Sequence, residues 1–149
     1  MNISGTIDSI LNYKGKQIWS IQPFATVYEA VEKMAEKNVG ALLVMENDRL
    51  VGMFSERDYT RKVVLHGKSS RQTLVREIIS RPVISVDPDC SVEEAMRIMT
   101  ENRIRHLPVI ESDQVVGVVS IGDLVNWMIS AQHLALNQME DYITGKYPG

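Results

Sequence analysis

Shifted against itself by 65 positions, the sequence aligns without a gap from about Ile18 to Tyr59, and about fifteen of roughly forty aligned pairs are identical. Pro23 meets Pro88, Val27 meets Val92, Ala30 meets Ala95 and Met34 meets Met99. Further on, Leu42 meets Leu107, Val44 meets Val109, Gly52 meets Gly117, Ser55 meets Ser120 and Asp58 meets Asp123. Internal repetition at this level constrains the architecture before any residue is read singly, because each copy must be one supersecondary unit.

Within each copy a short extended segment (18–21, 83–86) runs into a proline turn and then a helix. Thr26-Val-Tyr-Glu29 and Ser91-Val-Glu-Glu94 read as capping boxes, with the hydroxyl accepting a backbone N–H and the glutamate reaching back. Val27, Ala30, Val31 and Met34, like Val92, Ala95, Met96 and Met99, recur at helical spacing and give each helix one apolar face. Two apolar runs then follow, 41–45 with 50–54 and 107–110 with 115–119, each pair joined by a short polar turn and read as a hairpin. A second helix is expected from about Glu56 to Leu65 and from about Ile121 toward Tyr142. The unit is therefore strand, helix, strand, strand, helix, and the fold class is α+β. The expected organisation is an N-terminal segment over 1–16, a first repeat over 17–66, a polar linker over 67–73, a second repeat over 74–130 beginning with an amphipathic turn over 74–79, and a helix extension and tail over 131–149.

The chain of 149 residues is long enough to bury a core without disulfide or metal staples. Its 44% hydrophobic and 23% charged residues are ordinary globular values. A net charge of −3 argues against a partner coated by phosphate, so no nucleic-acid binding is expected and any anion site must be local. Cys90 is the single cysteine, which excludes an intramolecular disulfide and a multi-cysteine zinc site, and a reducing cytoplasm is the expected compartment. The start of the chain lacks a basic region followed by a long apolar core, and no apolar run approaches the roughly 20 residues of a membrane span. Neither export nor membrane insertion is expected.

Residue types for catalysis are missing in pattern. There is no Gly-x-Ser-x-Gly elbow, no Walker loop and no His-Glu-x-x-His helix, and the three histidines fall in a linker, a strand start and a terminal helix. No enzyme activity, catalytic cofactor or metal is expected. Ser55-x-x-Asp58 and Ser120-x-x-Asp123 stand where an apolar strand ends and a helix begins. One reading is a capping box with aspartate in the glutamate role. The other is a nucleotide contact, since a helix N-terminus seats phosphate and a carboxylate beside it accepts the two ribose hydroxyls.

The runs Gly52-Met-Phe-Ser55-Glu-Arg-Asp58, Gly117-Val-Val-Ser120-Ile-Gly-Asp123 and Asn102-Arg-Ile-Arg105-His106-Leu-Pro108-Val109 resemble those of paired CBS domains, the Bateman module, over nearly the whole chain. The stretch from Phe54 to Val63 is also similar to small stand-alone members of that family. The resemblance implies two pseudo-twofold-related β-α-β-β-α repeats packed as one module, commonly a flat homodimer, that binds AMP, ATP, NAD(H) or S-adenosylmethionine. It further implies composite clefts, in which the Ser-x-x-Asp of one repeat faces the first strand and helix-to-strand corner of the other.

On that pattern cleft one joins Ser55 and Asp58 with Ser80, Pro82, Ile104, Arg105 and His106, with Arg57, Arg61 and Lys62 nearby. Cleft two joins Ser120, Ile121, Gly122 and Asp123 with Gln17, Ile18, Val39 and Gly40. Cleft one is the more cationic, because the corner of cleft two carries no charge and Gly122 replaces Arg57; it should hold phosphate more firmly. Ile104, Val39 and Ile18 would frame the adenine. Arg105 and His106 also read as a solvated strand edge, and Arg57, Arg61 and Lys62 as a solvated helix face.

The last helix outruns its counterpart. Ile121, Leu124, Val125, Met128, Ala135, Met139 and Tyr142 form one stripe, with Trp127, Ala131 and Leu134 on a neighbouring face. Two apolar faces are surplus for a small monomer, so self-association partly through this helix is expected. AMP is the first expected ligand, with ATP or NAD(H) next and a separate effector protein as the recipient of the signal. The alternatives are a S-adenosylmethionine module and a dimer that serves protein interaction without a ligand.

Overall fold

The computed structural model describes residues 5–79 and 83–144, with side chains described as far as Ala131 and again at Met139. The elements in order are α1 (Ile7–Lys14), β1 (Ser20–Ile21), α2 (Val27–Lys37), β2 (Ala41–Glu46), β3 (Arg49–Ser55), α3 (Glu56–Asp58), α4 (Val92–Asn102), β4 (His106–Glu111), β5 (Gln114–Ser120) and α5 (Ile121–Thr144). A π-helical segment, Tyr59–Val64, continues α3, and a 3-10 turn spans Val75–Glu77. The chain divides into two compact units. One takes the chain up to Lys16, Val86–Glu111 and everything from Gly117 on; the other takes Gln17–Ser85 and Ser112–Val116.

In the Gln17–Ser85 unit β1 runs parallel to β2, and β2 pairs antiparallel with β3. Helix α2 begins where the Thr26 side chain accepts the Glu29 N–H, and it buries Val27, Ala30 and Met34. These residues meet Leu42, Val44, Phe54, Val63, Val75 and Ile78 in one core. The second unit repeats the plan. Ser91 caps α4, Val92, Ala95 and Met99 are buried, and β4 and β5 form a hairpin beside which Val86 makes an isolated parallel bridge to Val109.

The capping boxes expected at Thr26 and Ser91 form only by half. The Glu29 carboxylate takes the Thr26 hydroxyl rather than the backbone, and the Glu94 carboxylate is held by Arg97. The first strand of each repeat is also shorter than its sequence run, reduced to Ser20–Ile21 in one copy and to the Val86 bridge in the other. The Glu56–Leu65 helix turns π-helical after three residues, closing with the Leu65 N–H on the Thr60 carbonyl.

The largest departure from the sequence reading concerns the segments that precede the repeats. Residues 73–79 lead into the second repeat in the chain yet dock on the first: the Val75 N–H donates to the Ala25 carbonyl, the Arg76 N–H to Pro23 and the Val27 N–H to Thr73. Residues 5–11, which lead into the first repeat, dock on the second in the same way, through Ile7 N–H to Cys90, Asp8 N–H to Pro88 and Val92 N–H to Gly5. The two lead-ins thus obey their own register, in which Ile7 corresponds to Val75 and Leu11 to Ile79. Each lays an apolar side chain on the glycine of the hairpin in the repeat on which it docks. A Cβ on Gly52 would sit 2.8 Å from Ile79 Cδ1, and one on Gly117 would sit 2.7 Å from Leu11 Cδ2.

Both hairpins turn in two residues, and both positions have positive φ: Asn47 at 51° and Asp48 at 63°, Ser112 at 51° and Asp113 at 61°. That is the type I′ requirement, whose twist matches the strands. Asparagine tolerates the left-handed region and serine does so less readily. Ser112→Asn, which copies the first hairpin into the second, is therefore expected to stabilise the protein by about 0.5–1 kcal/mol in denaturant unfolding.

Candidate functional site

Each repeat builds a helix N-terminus at the end of its hairpin. Helices α2 and α4 end on left-handed residues, Asn38 and Arg103, both at φ 54°. The chain then turns through Val39-Gly40 or Ile104-Arg105 into the next strand. In both units the corner carbonyl accepts the first N–H of the helix that follows the hairpin: Glu56 to Gly40 at 3.1 Å, and Ile121 to Arg105 at 2.8 Å. Corner and Ser-x-x-Asp of the same repeat are thus fixed against one another by a backbone bond.

At the first of these termini Ser55 Oγ accepts the Asp58 N–H at 3.2 Å, while Asp58 Oδ2 accepts the Ser55 N–H at 2.9 Å and its hydroxyl at 3.0 Å. The capping-box reading is therefore realised. Asp58 Oδ1 lies 3.2 Å from Lys62 Nζ, which also donates to the Ile78 carbonyl at 3.0 Å. At the second terminus Ser120 Oγ accepts the Asp123 N–H at 3.1 Å and Asp123 Oδ2 accepts the Ser120 N–H at 2.8 Å. The same oxygen takes Lys14 Nζ at 2.7 Å, and that ammonium also donates to the Val118 carbonyl at 2.9 Å.

Lys14 is the residue that sequence reasoning missed. It stands in the last turn of α1, 109 positions from Asp123, and it gives the second terminus a cation where none was expected. A signal for it was present: Thr6 as a cap, Ile7, Ile10 and Leu11 at helical spacing, then Gly15. Both aspartates are about a fifth exposed, at 20% and 23%, so each carboxylate is held in place yet open to water.

Of the other residues named from sequence, Arg57 and Asp58 are half-buried on α3, Lys62 is half-buried and Arg61 exposed on the π segment, and Gln17, Ile18, Val39 and Gly40 belong to the same unit. Ile104, Arg105 and His106 lie in the other unit with Ser120, Ile121, Gly122 and Asp123; Arg105 and Gly122 are exposed. Ser80 and Pro82 lie outside the described residues. In α5, Leu124 is buried while Val125, Ile129 and Met139 are exposed; the side chains of Leu134, Ala135 and Tyr142 lie outside the described residues. Among the described residues no cluster of histidine, cysteine and carboxylates has the geometry of a metal site. Burial, with Glu94 and Asp87 nearby, pushes the Cys90 thiol up, so it stays protonated and is a poor nucleophile. Among the described residues no helix is long and apolar enough to cross a membrane.

The geometry of a doubled hairpin and helix N-terminus has a counterpart among known proteins. A family model described as CBS domain matches residues 13–65 and again 75–130. The chain belongs to the CBS-domain family and carries that domain twice, as a tandem pair of the kind that typically acts as a regulatory ligand-binding module. It is 40% identical over 154 residues to the mitochondrial CBS domain-containing protein CBSX3 of Arabidopsis thaliana, covering 97% of this chain and 74% of the relative. A CBS-domain protein from Burkholderia ambifaria MC40-6 superposes with a TM-score of 0.83 at 45% identity, over 86% of this chain and 96% of the other. The CBS domain pair of protein MJ0100, solved with 5′-methylthioadenosine and S-adenosyl-L-methionine, shares the fold at 23% identity, with a TM-score of 0.73 over 82% of this chain and 94% of that one.

Proposed function

We propose that the chain is a cytoplasmic, non-catalytic sensor of an adenine nucleotide, AMP first and ATP or NAD(H) next, which signals as a homodimer to a separate effector protein. The observation that carries this reading is the twinned hydroxyl–carboxylate terminus with a lysine on each carboxylate. A helix N-terminus and an ammonium suit phosphate, and a fixed, partly exposed carboxylate suits a ribose diol. Cleft one takes Ser55, Arg57, Asp58, Arg61 and Lys62 with Ser80, Pro82, Ile104, Arg105 and His106. Cleft two takes Ser120, Ile121, Gly122 and Asp123 with Gln17, Ile18, Val39 and Gly40, and Lys14 now joins it. The exposed Val125, Ile129 and Met139 of α5 supply apolar surface for the dimer. The ligands solved with the MJ0100 pair support S-adenosylmethionine as the second reading.

Melting of the protein with AMP, ATP, NADH and S-adenosylmethionine tests this directly. A true ligand at one hundred times its Kd adds about 2.7 kcal/mol. A flat response to all four would leave a dimer that works by protein contact alone. Asp58→Ala is expected to weaken nucleotide binding by about 1.5–3 kcal/mol, the scale of hydrogen bonds to a charged group. Asp123→Ala should cost less, since cleft one keeps the larger number of cations even with Lys14 counted. Equal losses in calorimetric titration would contradict that ranking.

A further inference from the structure

The carboxylates of the two Ser-x-x-Asp termini are each held by a lysine, but the lysines come from different places. Lys62 stands four residues beyond Asp58 on the continuing helix, 3.2 Å from its carboxylate, so its charge is a local fixture. Carried through the helix of the second repeat, the 65-residue register puts Trp127 where Lys62 stood. The cation on Asp123 comes instead from Lys14, 109 positions away in the chain, and it is present only while α1 is docked. Three contacts line α1 up on β5 and α5. Gly5, just ahead of the helix, lies against the Trp127 indole, where a Cβ would sit 2.7 Å from Nε1. Leu11 fills the space over Gly117, and Lys14 closes the last turn on Asp123 and the Val118 carbonyl.

An ammonium has three N–H donors and no acceptor. Two donors of Lys14 go to Val118 and Asp123, and the third belongs to a side chain that is 33% exposed. Asp123 and the phosphate of a nucleotide are both anions, and at one helix terminus they repel unless a cation lies between them. We propose that Lys14 is that cation and that α1 is thereby a ligand-controlled element. Phosphate in cleft two takes the third donor of Lys14 and locks α1 onto the second unit; without ligand α1 lifts off more often and bares Ile7, Ile10 and Leu11. This linkage rests on the nucleotide reading of cleft two. Linkage is reciprocal, so the factor by which docked α1 raises phosphate affinity is the factor by which phosphate favours docked α1. Cleft one lacks this dependence, because the cation on Asp58 belongs to the same helix.

The test uses the full chain carrying Asp58→Ala, which weakens cleft one, and two probes that differ only in the phosphate, AMP and adenosine. Hydrogen exchange of the α1 amides and of the Gly15 N–H that closes the helix on Leu11 is expected to be about tenfold slower at saturating AMP than at saturating adenosine. Lys14→Met keeps the apolar stem without the charge. It is expected to lower AMP affinity about tenfold in calorimetric titration, leave adenosine affinity within about twofold, and abolish the extra protection of α1. Lys14→Arg retains the charge and should keep most of the discrimination. Circular dichroism melting shows that each variant is folded, and the exchange comparison with Lys14 in place decides the question even where Lys14→Met does not fold. AMP that binds yet leaves α1 exchanging as fast as adenosine does, or a Lys14→Met loss equal for the two probes, overturns the linkage and leaves nucleotide binding standing. A chain that binds neither probe overturns the linkage together with the AMP reading beneath it.

Discussion

Leu11→Ala is expected to destabilise the protein by about 2–5 kcal/mol, as much as an excavation in the middle of a repeat. The residue is 1% exposed and lies against Gly117, where the strand has no side chain of its own to fill the gap. Ile7 and Ile10 are buried with it. Leu11 stands before either matched CBS segment begins, so boundaries drawn from the repeat alone assign it no packing role. Tyr13 is the control: on the same helix but 85% exposed, its replacement by alanine should stay within about 0.5 kcal/mol. Denaturant midpoints for the two variants read the difference, and a Leu11→Ala as silent as Tyr13→Ala would mean that α1 does not complete the second unit.

Phe54→Ala carries the other large effect, about 3–5 kcal/mol. The ring is fully buried at the centre of the first core, opposite Leu42 in the sheet and packed with the apolar faces of α2, the π segment and the 3-10 turn. Removing it leaves a void among the side chains of α2, the sheet, the π segment and the 3-10 turn, which relaxation fills only in part. Since domains are stable by only about 5–15 kcal/mol, this single change removes a large share of the total. Phe54 also immediately precedes Ser55, so the loss should be felt at the helix terminus: nucleotide binding, where it survives, should weaken along with stability. A variant that kept the parental midpoint would contradict the packing described for this unit.

How far the sequence reveals the molecule follows from the range of each interaction. Helices α2 and α4 and both hairpins are legible because their determinants are local: a capping hydroxyl, apolar residues at one spacing and a two-residue polar turn. The Ser-x-x-Asp termini are legible for the same reason, with every bond of the cap closing within three residues. The π segment is not, since a turn widened by one hydrogen-bond step cannot be told from an α-helix by periodicity over six residues. Nor does the sequence register show where the lead-ins dock. They follow a spacing of 68 rather than 65, as the pairing of Ile7 with Cys90 and of Val75 with Ala25 makes plain, and they are short and diverged. Lys14 was hidden with them, because its role depends on α1 reaching β5 and α5.

The exchanged lead-ins also set an order of events in time. The core of the first repeat is completed by a segment synthesised directly after it, so that core can close as soon as residue 79 is available. The second must recover residues 5–14 from ahead of the first repeat, across the whole of that repeat, before Leu11 and Lys14 reach Gly117 and Asp123. Loop closure over that distance is entropically costlier and slower. The second unit should therefore be the later to acquire protection in pulsed hydrogen exchange, and during synthesis helix α1 has to wait, its apolar face exposed, for a partner made only after the first repeat.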